Sequence, residues 1–108
     1  MGVLQNKTAV RACPIARSLD VVGEKWSLLI VRELLLGNNR FAQIAAYTGA
    51  PRDILTARLR KLEDAGILER HRYSERPERF EYHLTGAGLG LAPVLTDLRH
   101  WGNEHLPL

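Results

Sequence analysis

The sequence of 108 residues lacks several features that mark particular classes of protein. It has no apolar run near the ~20 residues that a membrane-spanning helix needs, and residues 1–11 lack the apolar core of an export signal. We therefore expect a cytoplasmic protein with no membrane contact. A single cysteine, Cys13, excludes an internal disulfide framework and a multi-cysteine zinc site.

The chain also lacks the side-chain groupings that catalysis or metal binding requires. Its four histidines are scattered, and His100 and His105 are five positions apart, not the three or four that place two ligands on one helix face. No acidic residues are paired as a general acid and base would be. The sequence therefore predicts a protein that is not an enzyme and that needs no cofactor or metal ion.

Positive charge is modest in total but concentrated in one part of the chain. The net charge is +3, and residues 40–79, with nine basic and six acidic side chains, carry all of this excess. Arginine outnumbers lysine twelve to three, which favours planar partners such as phosphates and guanine edges. A solvated face of salt bridges would have a similar composition, so charge alone leaves both interpretations open.

Helical periodicity predicts three helices before a tight turn. The first begins at Pro14, where a missing N–H is tolerated, and ends at Gly23. Residues 25–36 are apolar on most sides, which indicates a buried central helix. A short helix over 41–47 leads to the turn at 48–50, whose central glycine suits a sharp change of direction.

A longer helix over residues 51–65 follows the turn, and Gly66 ends it. One face of this helix is apolar and the other is polar; the two faces consist of Leu55, Leu59 and Leu62, and of Arg52, Asp53, Thr56 and Arg60, respectively. A helix of about four turns with a polar, arginine-bearing face after a tight turn is typical of a helix-turn-helix.

The hydrophobic period changes from 3.6 to 2 after Gly66. Residues 68–73 and 80–84 are predicted strands, joined by a polar loop over 74–79 with a basic tip. Thr85 is a plausible cap for one final helix that reaches residue 105 and is kinked at Pro93. The predicted fold class is mainly α with a small β-hairpin, which is a winged helix-turn-helix.

With these elements in place, the chain resembles the HxlR-type family of bacterial winged-helix regulators, which are relatives of the MarR type. The matching stretches are CPI at 13–15, GEKWSLLI at 23–30, RF at 40–41, ILTARLRKLE at 54–63, GIL at 66–68, PERFEYHLT at 77–85 and WG at 101–102. Their order and spacing cover residues 13–105. The resemblance implies a homodimeric transcriptional regulator that binds double-stranded DNA.

The predicted helix after the turn is the candidate recognition helix, because a helix of this kind fits the major groove and its N-terminal residues reach base edges. We expect Arg58 to contact phosphate or to support the helix, and the basic hairpin tip to reach phosphates or the minor groove. The hairpin also contains acids, so local salt bridges are an alternative there. The candidate DNA contacts are Arg40, Arg52, Asp53, Thr56, Arg58, Arg60, Arg72, Arg76 and Arg79.

The first and last predicted helices carry more apolar residues than a small winged core can bury, and such surplus stripes usually mark a partner surface. In the family these flanking helices form a homodimer, whose symmetry suits a palindromic operator. The alternative is that the two helices pack on each other within one chain. The predicted dimer residues are Ile15, Leu19, Val22, Leu91, Leu95, Leu98 and Trp101.

Cys13 is the candidate regulatory residue. It directly precedes a predicted helix start, where the positive end of the helix dipole favours a thiolate. Members of the resembling family often use a cysteine at this Cys-Pro position to sense oxidants, quinones or aldehydes. An inert thiol at the edge of the dimer is an equally valid interpretation.

The resulting hypothesis is a flexible arm at residues 1–12 followed by one winged helix-turn-helix domain at 13–108. We expect it to act as a homodimeric regulator of transcription on a palindromic operator, controlled by thiol modification of Cys13 or by a small effector molecule. The rival hypothesis is a winged-helix module that no longer reads DNA and only binds protein partners.

Overall fold

A computed structural model describes residues 11–108 of the chain. Its elements, in order, are α1 Pro14–Val22, α2 Ser27–Leu35, α3 Phe41–Thr48, α4 Arg52–Asp64, β1 Leu68–Glu75, β2 Glu78–Leu84, α5 Gly86–Leu89 and α6 Ala92–His105. The predicted winged helix-turn-helix is confirmed. Residues 1–10, most of the predicted arm, lie outside the described residues. None of the helices within 11–108 has the length and apolar character needed to cross a bilayer.

The core forms where α2, α3, α4 and β1 meet. Each of these elements contributes at least one side chain that is less than 2% exposed; the largest are Ile30, Ile44, Leu55, Leu62 and Leu68. Burying a side chain of this size stabilises the fold by about 1.5–3 kcal/mol. Because two of the five come from α4, this helix is held firmly against the rest of the domain.

The hairpin of β1 and β2 is longer than predicted. The antiparallel pairing continues, with one bulge, as far as Glu75 opposite Glu78. The predicted loop over 74–79 is therefore wrong, and only Arg76 and Pro77 lie between the two strands. Most of this pairing is exposed, and a solvated antiparallel ladder accepts polar side chains as readily as apolar ones.

β2 has a second neighbour on its other edge. The Tyr82 amide donates a hydrogen bond to the Asn39 carbonyl at 2.8 Å, and Arg40 forms an isolated antiparallel bridge with Glu81. The segment before α3 thus attaches the base of the hairpin to the helix-turn-helix. This attachment fixes the position of the hairpin, the wing of the fold, relative to α3 and α4.

The single final helix of the prediction is instead two helices. The Thr85 hydroxyl accepts a hydrogen bond from the Gly88 amide at 3.2 Å, which confirms the predicted cap. α5 ends after one turn, and Pro93 lies in the first turn of the separate helix α6. The predicted kink at Pro93 is wrong because a proline, which lacks an N–H, is tolerated at a helix start without distortion.

Candidate nucleic-acid interface

The turn between α3 and α4 fixes the direction in which α4 leaves the scaffold. Gly49 has a φ of 78°, in the left-handed region that glycine enters without a steric cost. The Thr48 hydroxyl donates to the Ile44 carbonyl at 2.7 Å and accepts from the Ala50 amide at 3.2 Å. Because Ala50 is also buried, the turn is anchored on both sides of the glycine.

α4 has one buried face and one exposed face. Leu55, Leu59 and Leu62 are at most 3% exposed. The side chains on the exposed face are those of Arg52, Asp53, Thr56 and Arg60. The Arg52 guanidinium lies 4.7 Å from the centre of the Phe41 ring, and the Thr56 hydroxyl donates to the Arg52 carbonyl at 2.9 Å. The predicted reading residues are therefore together on one solvent-facing side.

Four of the predicted arginines form no salt bridge with the described residues. Among residues 11–108, no carboxylate oxygen lies within 4.0 Å of the guanidinium of Arg52, Arg60, Arg76 or Arg79. Two of these side chains are on α4, one is in the hairpin turn and one is at the start of β2. No described carboxylate is paired with these guanidinium groups, so an anion outside the protein can pair with them.

Arg40, in contrast, is held by the protein. Its guanidinium is 3.2 Å from Glu81 and lies 4.1 Å from the centre of the Tyr73 ring. A hydrogen bond with His83, and then one from Arg40, lower the pKa of the Glu81 carboxyl from its usual 4.5. The pair is thus ionised at neutral pH, and Arg40 joins the base of the wing to the start of α3.

Two further predicted contacts also have protein partners. Arg72 is 2.8 Å from Glu78 across the hairpin, which is the local salt bridge that the composition left open. Arg58 donates from Nε to the Lys25 carbonyl at 3.1 Å, and its guanidinium is 3.7 Å from Glu24. Of the two roles open for Arg58, these contacts favour support of the helix.

Arg70 is a candidate contact that the charge pattern does not single out. It lies 4.3 Å from the centre of the Phe80 ring and lines a small crevice together with Thr56 and Arg60. Within the described part of the chain no carboxylate is within 4.0 Å of it. Strand alternation could have identified it, because residues two apart share a face and Leu68 faces inward.

An open crevice of about 440 Å³ separates the helix-turn-helix from the hairpin. Arg52 and Phe41 line it on the helical side, and Arg79 and Phe80 line it on the hairpin side. Both walls thus carry a guanidinium without an acidic partner in the described residues, next to an aromatic ring. Glu78 also lines the hairpin side, where its carboxylate is paired with Arg72. A negatively charged strand entering the crevice would meet an unpaired guanidinium on each side.

A family model described as HxlR-like helix-turn-helix matches residues 21–108. The chain belongs to this HxlR-like family. One curated relative, the HTH-type transcriptional regulator Rv3095 of Mycobacterium tuberculosis, is 47% identical over 93 residues, which are 86% of this chain and 59% of that protein. The chain therefore spans about 59% of the length of this relative.

Two solved structures of regulators share the fold of this HxlR-like chain. The redox regulator HypR in its reduced form is 32% identical with a TM-score of 0.79, covering 87% of this chain and 96% of HypR. The reduced transcriptional regulator YodB of Bacillus subtilis is 28% identical with a TM-score of 0.73, covering 89% of this chain and 96% of YodB. YodB has also been solved after diamide treatment.

α1 and α6 of this HxlR-like chain expose large apolar side chains. Ile15 is 71% exposed and Leu19 55% on α1, while Leu98 is 48% and Trp101 56% exposed on α6. Within residues 11–108, these four side chains are not among those that form the core or pack against it. The alternative, in which α1 and α6 pack on each other within one chain, would bury these side chains, whereas they are exposed in the protomer.

Three of the predicted dimer residues are buried or half-buried within the protomer. Val22 is only 8% exposed and belongs to the core, so its place in the predicted dimer surface is wrong. Leu91 is half-buried against the same core. Leu95 is also half-buried and lines a groove between α2 and α6. Periodicity correctly places all three on apolar faces but cannot separate an inner stripe from an outer one.

Cys13 is the N-cap of α1. Its Sγ accepts a hydrogen bond from the Ala16 amide at 3.3 Å, and its carbonyl accepts one from the Arg17 amide at 3.1 Å. The side chain is half-buried. A modified sulfur would lose its role as the acceptor that caps the helix, so chemistry at this thiol would act on the first turn of α1.

Proposed function

We propose that the protein is a homodimeric, sequence-specific regulator of transcription that places α4 of each protomer in the major groove of DNA. The single observation that carries the proposal is the set of arginines without acidic partners in the described chain, shared between the exposed side of α4 and the hairpin end. A helix fits a groove ~12 Å wide, and guanidinium groups pair bidentately with guanine. A regulator of bacterial type that binds chromosomal DNA acts in the cytoplasm, and we propose this location for the protein.

Within this proposal the two basic surfaces have different tasks. On α4, Arg52, Asp53, Thr56 and Arg60 meet base edges, because the buried leucines of that helix turn this side outward. In the hairpin, Arg76 and Arg79 meet phosphates or the neighbouring minor groove. Arg40, Arg58 and Arg72 already have carboxylate partners and orient the other two surfaces.

The exposed apolar surface of α1 and α6 supports the homodimer. A patch of large apolar side chains in water is unfavourable by about 25 cal/mol per Å² and is covered when a partner is present. A two-fold axis through this patch would present two copies of α4 to half-sites one turn of DNA apart, about 34 Å. The operator would then be palindromic.

The proposed function is tested by selecting genomic fragments that the protein retains at a fixed salt concentration. We expect recovered fragments to share one inverted repeat. A winged-helix module that binds only proteins would recover fragments with no shared sequence, and this result would overturn DNA reading. The salt concentration must be fixed because binding through phosphate contacts is independent of sequence and changes steeply with salt.

We further propose that Cys13 connects this regulator to oxidants. Its position at the cap of α1 supports the idea, as does the similarity to a redox regulator. The 108 residues contain no second cysteine, so a disulfide formed by these residues joins two different molecules. Diamide would take up two electrons and two protons while either two Cys13 thiols, or Cys13 and a small thiol, form a disulfide.

Replacing Cys13 by serine should abolish any effect of diamide on operator binding and leave binding itself unchanged. Serine retains an oxygen that can cap α1, so the fold keeps this hydrogen bond. The measurement is a gel-shift titration of wild type and variant before and after diamide. If diamide does not change wild-type binding, Cys13 is an inert thiol and the DNA-binding proposal is unaffected.

The hairpin arginines should set the salt dependence of binding. Replacing Arg76 or Arg79 by alanine should lower the magnitude of the slope of log affinity against log salt by about one unit each. Each phosphate contact releases a counterion from DNA when the protein binds, so a variant with one contact fewer releases fewer counterions. Arg72→Ala is the matched control, because that guanidinium is already paired with Glu78. Slopes equal to that of wild type in both the Arg76 and the Arg79 variant would remove the hairpin from the interface.

A further inference from the structure

Glu24 holds the recognition helix from the side that faces away from the proposed bases. Its carboxylate is 2.5 Å from the Lys61 ammonium and 3.7 Å from the Arg58 guanidinium. At about 100° per residue, these two basic residues of α4 point away from the side that carries Arg52 and Arg60. The Glu24 carboxylate therefore forms ion pairs with two side chains on the flank of α4.

Several contacts within the protein hold the turn that carries Glu24. The Ser27 amide donates to the Glu24 carbonyl at 3.2 Å, and the Lys25 carbonyl accepts from Arg58 at 3.1 Å. Trp26 has a φ of 84° and packs against the core. A bulky residue adopts this left-handed conformation only where its surroundings hold it, so packing against the core sets the conformation of the turn that carries Glu24.

The same turn continues directly from α1. Val22, the last residue of α1, is in the core, and the Gly23 amide donates to the Leu19 carbonyl at 2.8 Å. Glu24 follows immediately. The chain thus joins α1, which carries the exposed apolar surface and the Cys13 cap, to the flank of α4 by a short and ordered path.

We propose that Glu24 is a positioning residue for DNA recognition. Its ion pairs with Lys61 and Arg58 fix the angle between α1 and α4, and Glu24 itself does not contact DNA. This inference rests on the proposed function. The hydrogen bond from Lys61, and then the charge of Arg58, lower the pKa of the Glu24 carboxyl from its usual 4.5. The carboxylate is thus ionised at neutral pH, and its ion pairs with Lys61 and Arg58 are present.

The test compares Glu24→Gln with wild type on the selected operator and on a scrambled duplex of equal length. The variant should lose operator affinity by about two- to thirty-fold, the range for positions that act through others. Its affinity for the scrambled duplex should be unchanged or higher, because a negative charge beside α4 is gone. The ratio of the two affinities therefore falls, which loss of folding alone would not produce.

Asp64→Asn is the matched control. It removes one negative charge from the end of α4, where no basic partner within 4.0 Å is found in residues 11–108, so its affinity ratio should equal that of wild type. Glu24→Asp keeps the charge but shortens the reach, and it should also lower the ratio. If Glu24→Gln and Asp64→Asn shift both duplexes by one common factor, Glu24 acts through charge alone and the proposal is overturned.

If wild type itself fails to distinguish the operator from the scrambled duplex, the proposed function has failed, independently of Glu24. If Glu24→Gln does not fold, Lys61→Gln breaks the same contact from the α4 side. That variant must then lower the affinity ratio, and an unchanged ratio overturns the proposal.

Discussion

Replacing Arg60 by alanine is expected to weaken operator binding by about 1–3 kcal/mol and to flatten the preference for one base pair in each half-site. The guanidinium is exposed on α4 and has no carboxylate within 4.0 Å in the described chain. Its loss therefore removes a contact to DNA without releasing an acidic partner inside the protein. The measurement is a set of titrations with operators changed one base pair at a time.

Arg99→Ala is the matched control for this loss of charge. Arg99 is exposed on α6, far along the chain from the helix-turn-helix, and no described acidic residue is within 4.0 Å of it. We expect a smaller loss of affinity that is equal at every base position, since only the general attraction to phosphate changes. An Arg60→Ala variant with an unchanged base preference would take Arg60 out of the reading face.

Replacing Leu19 by aspartate is expected to convert the dimer to monomers at micromolar concentration. A symmetric interface contains each residue twice, and a central apolar side chain costs about 2 kcal/mol or more when it is lost. The protomer should remain folded, because Leu19 is already 55% exposed in it. Light scattering gives the mass, and gel shifts should show binding reduced to that of a single half-site.

Arg17→Gln changes the net charge by the same amount and lies on the opposite side of α1. This variant should remain dimeric. A wild-type protein that is already monomeric at micromolar concentration would contradict the proposed dimer, and the exposed apolar side chains of α1 and α6 would then need another partner. Equal dissociation of both variants would mean that charge, not the apolar surface, controls association.

The fold could be predicted because its main signals are local. The leucine stripe, the glycine turn and the strand alternation each report on neighbours a few residues away. The errors occur where a local pattern permits two structures. Polar residues 74–79 suit a loop or a solvated strand, and Pro93 suits a kink or a helix start. Strand pairing and packing decide between the two structures, and both depend on residues far away in the sequence.

The candidate site was less predictable because the partners of its charges are distant in the sequence. Arg58 meets Glu24 and Arg40 meets Glu81 only after folding. Composition alone weights all arginines equally, whereas the fold separates those with acidic partners from those without. The left-handed conformation of Trp26 is likewise set by packing, so the sequence predicts a helix start at residue 25 where the structure begins it at Ser27.

The most direct test of DNA reading by α4 is the ratio of two dissociation constants at one salt concentration. One is for the selected operator and the other for a duplex of the same composition in scrambled order. A protein that reads bases through an exposed recognition helix should bind the operator about 10³- to 10⁷-fold more tightly. A ratio near one, with the dimer intact, would contradict the account, because phosphate attraction alone would then explain the binding.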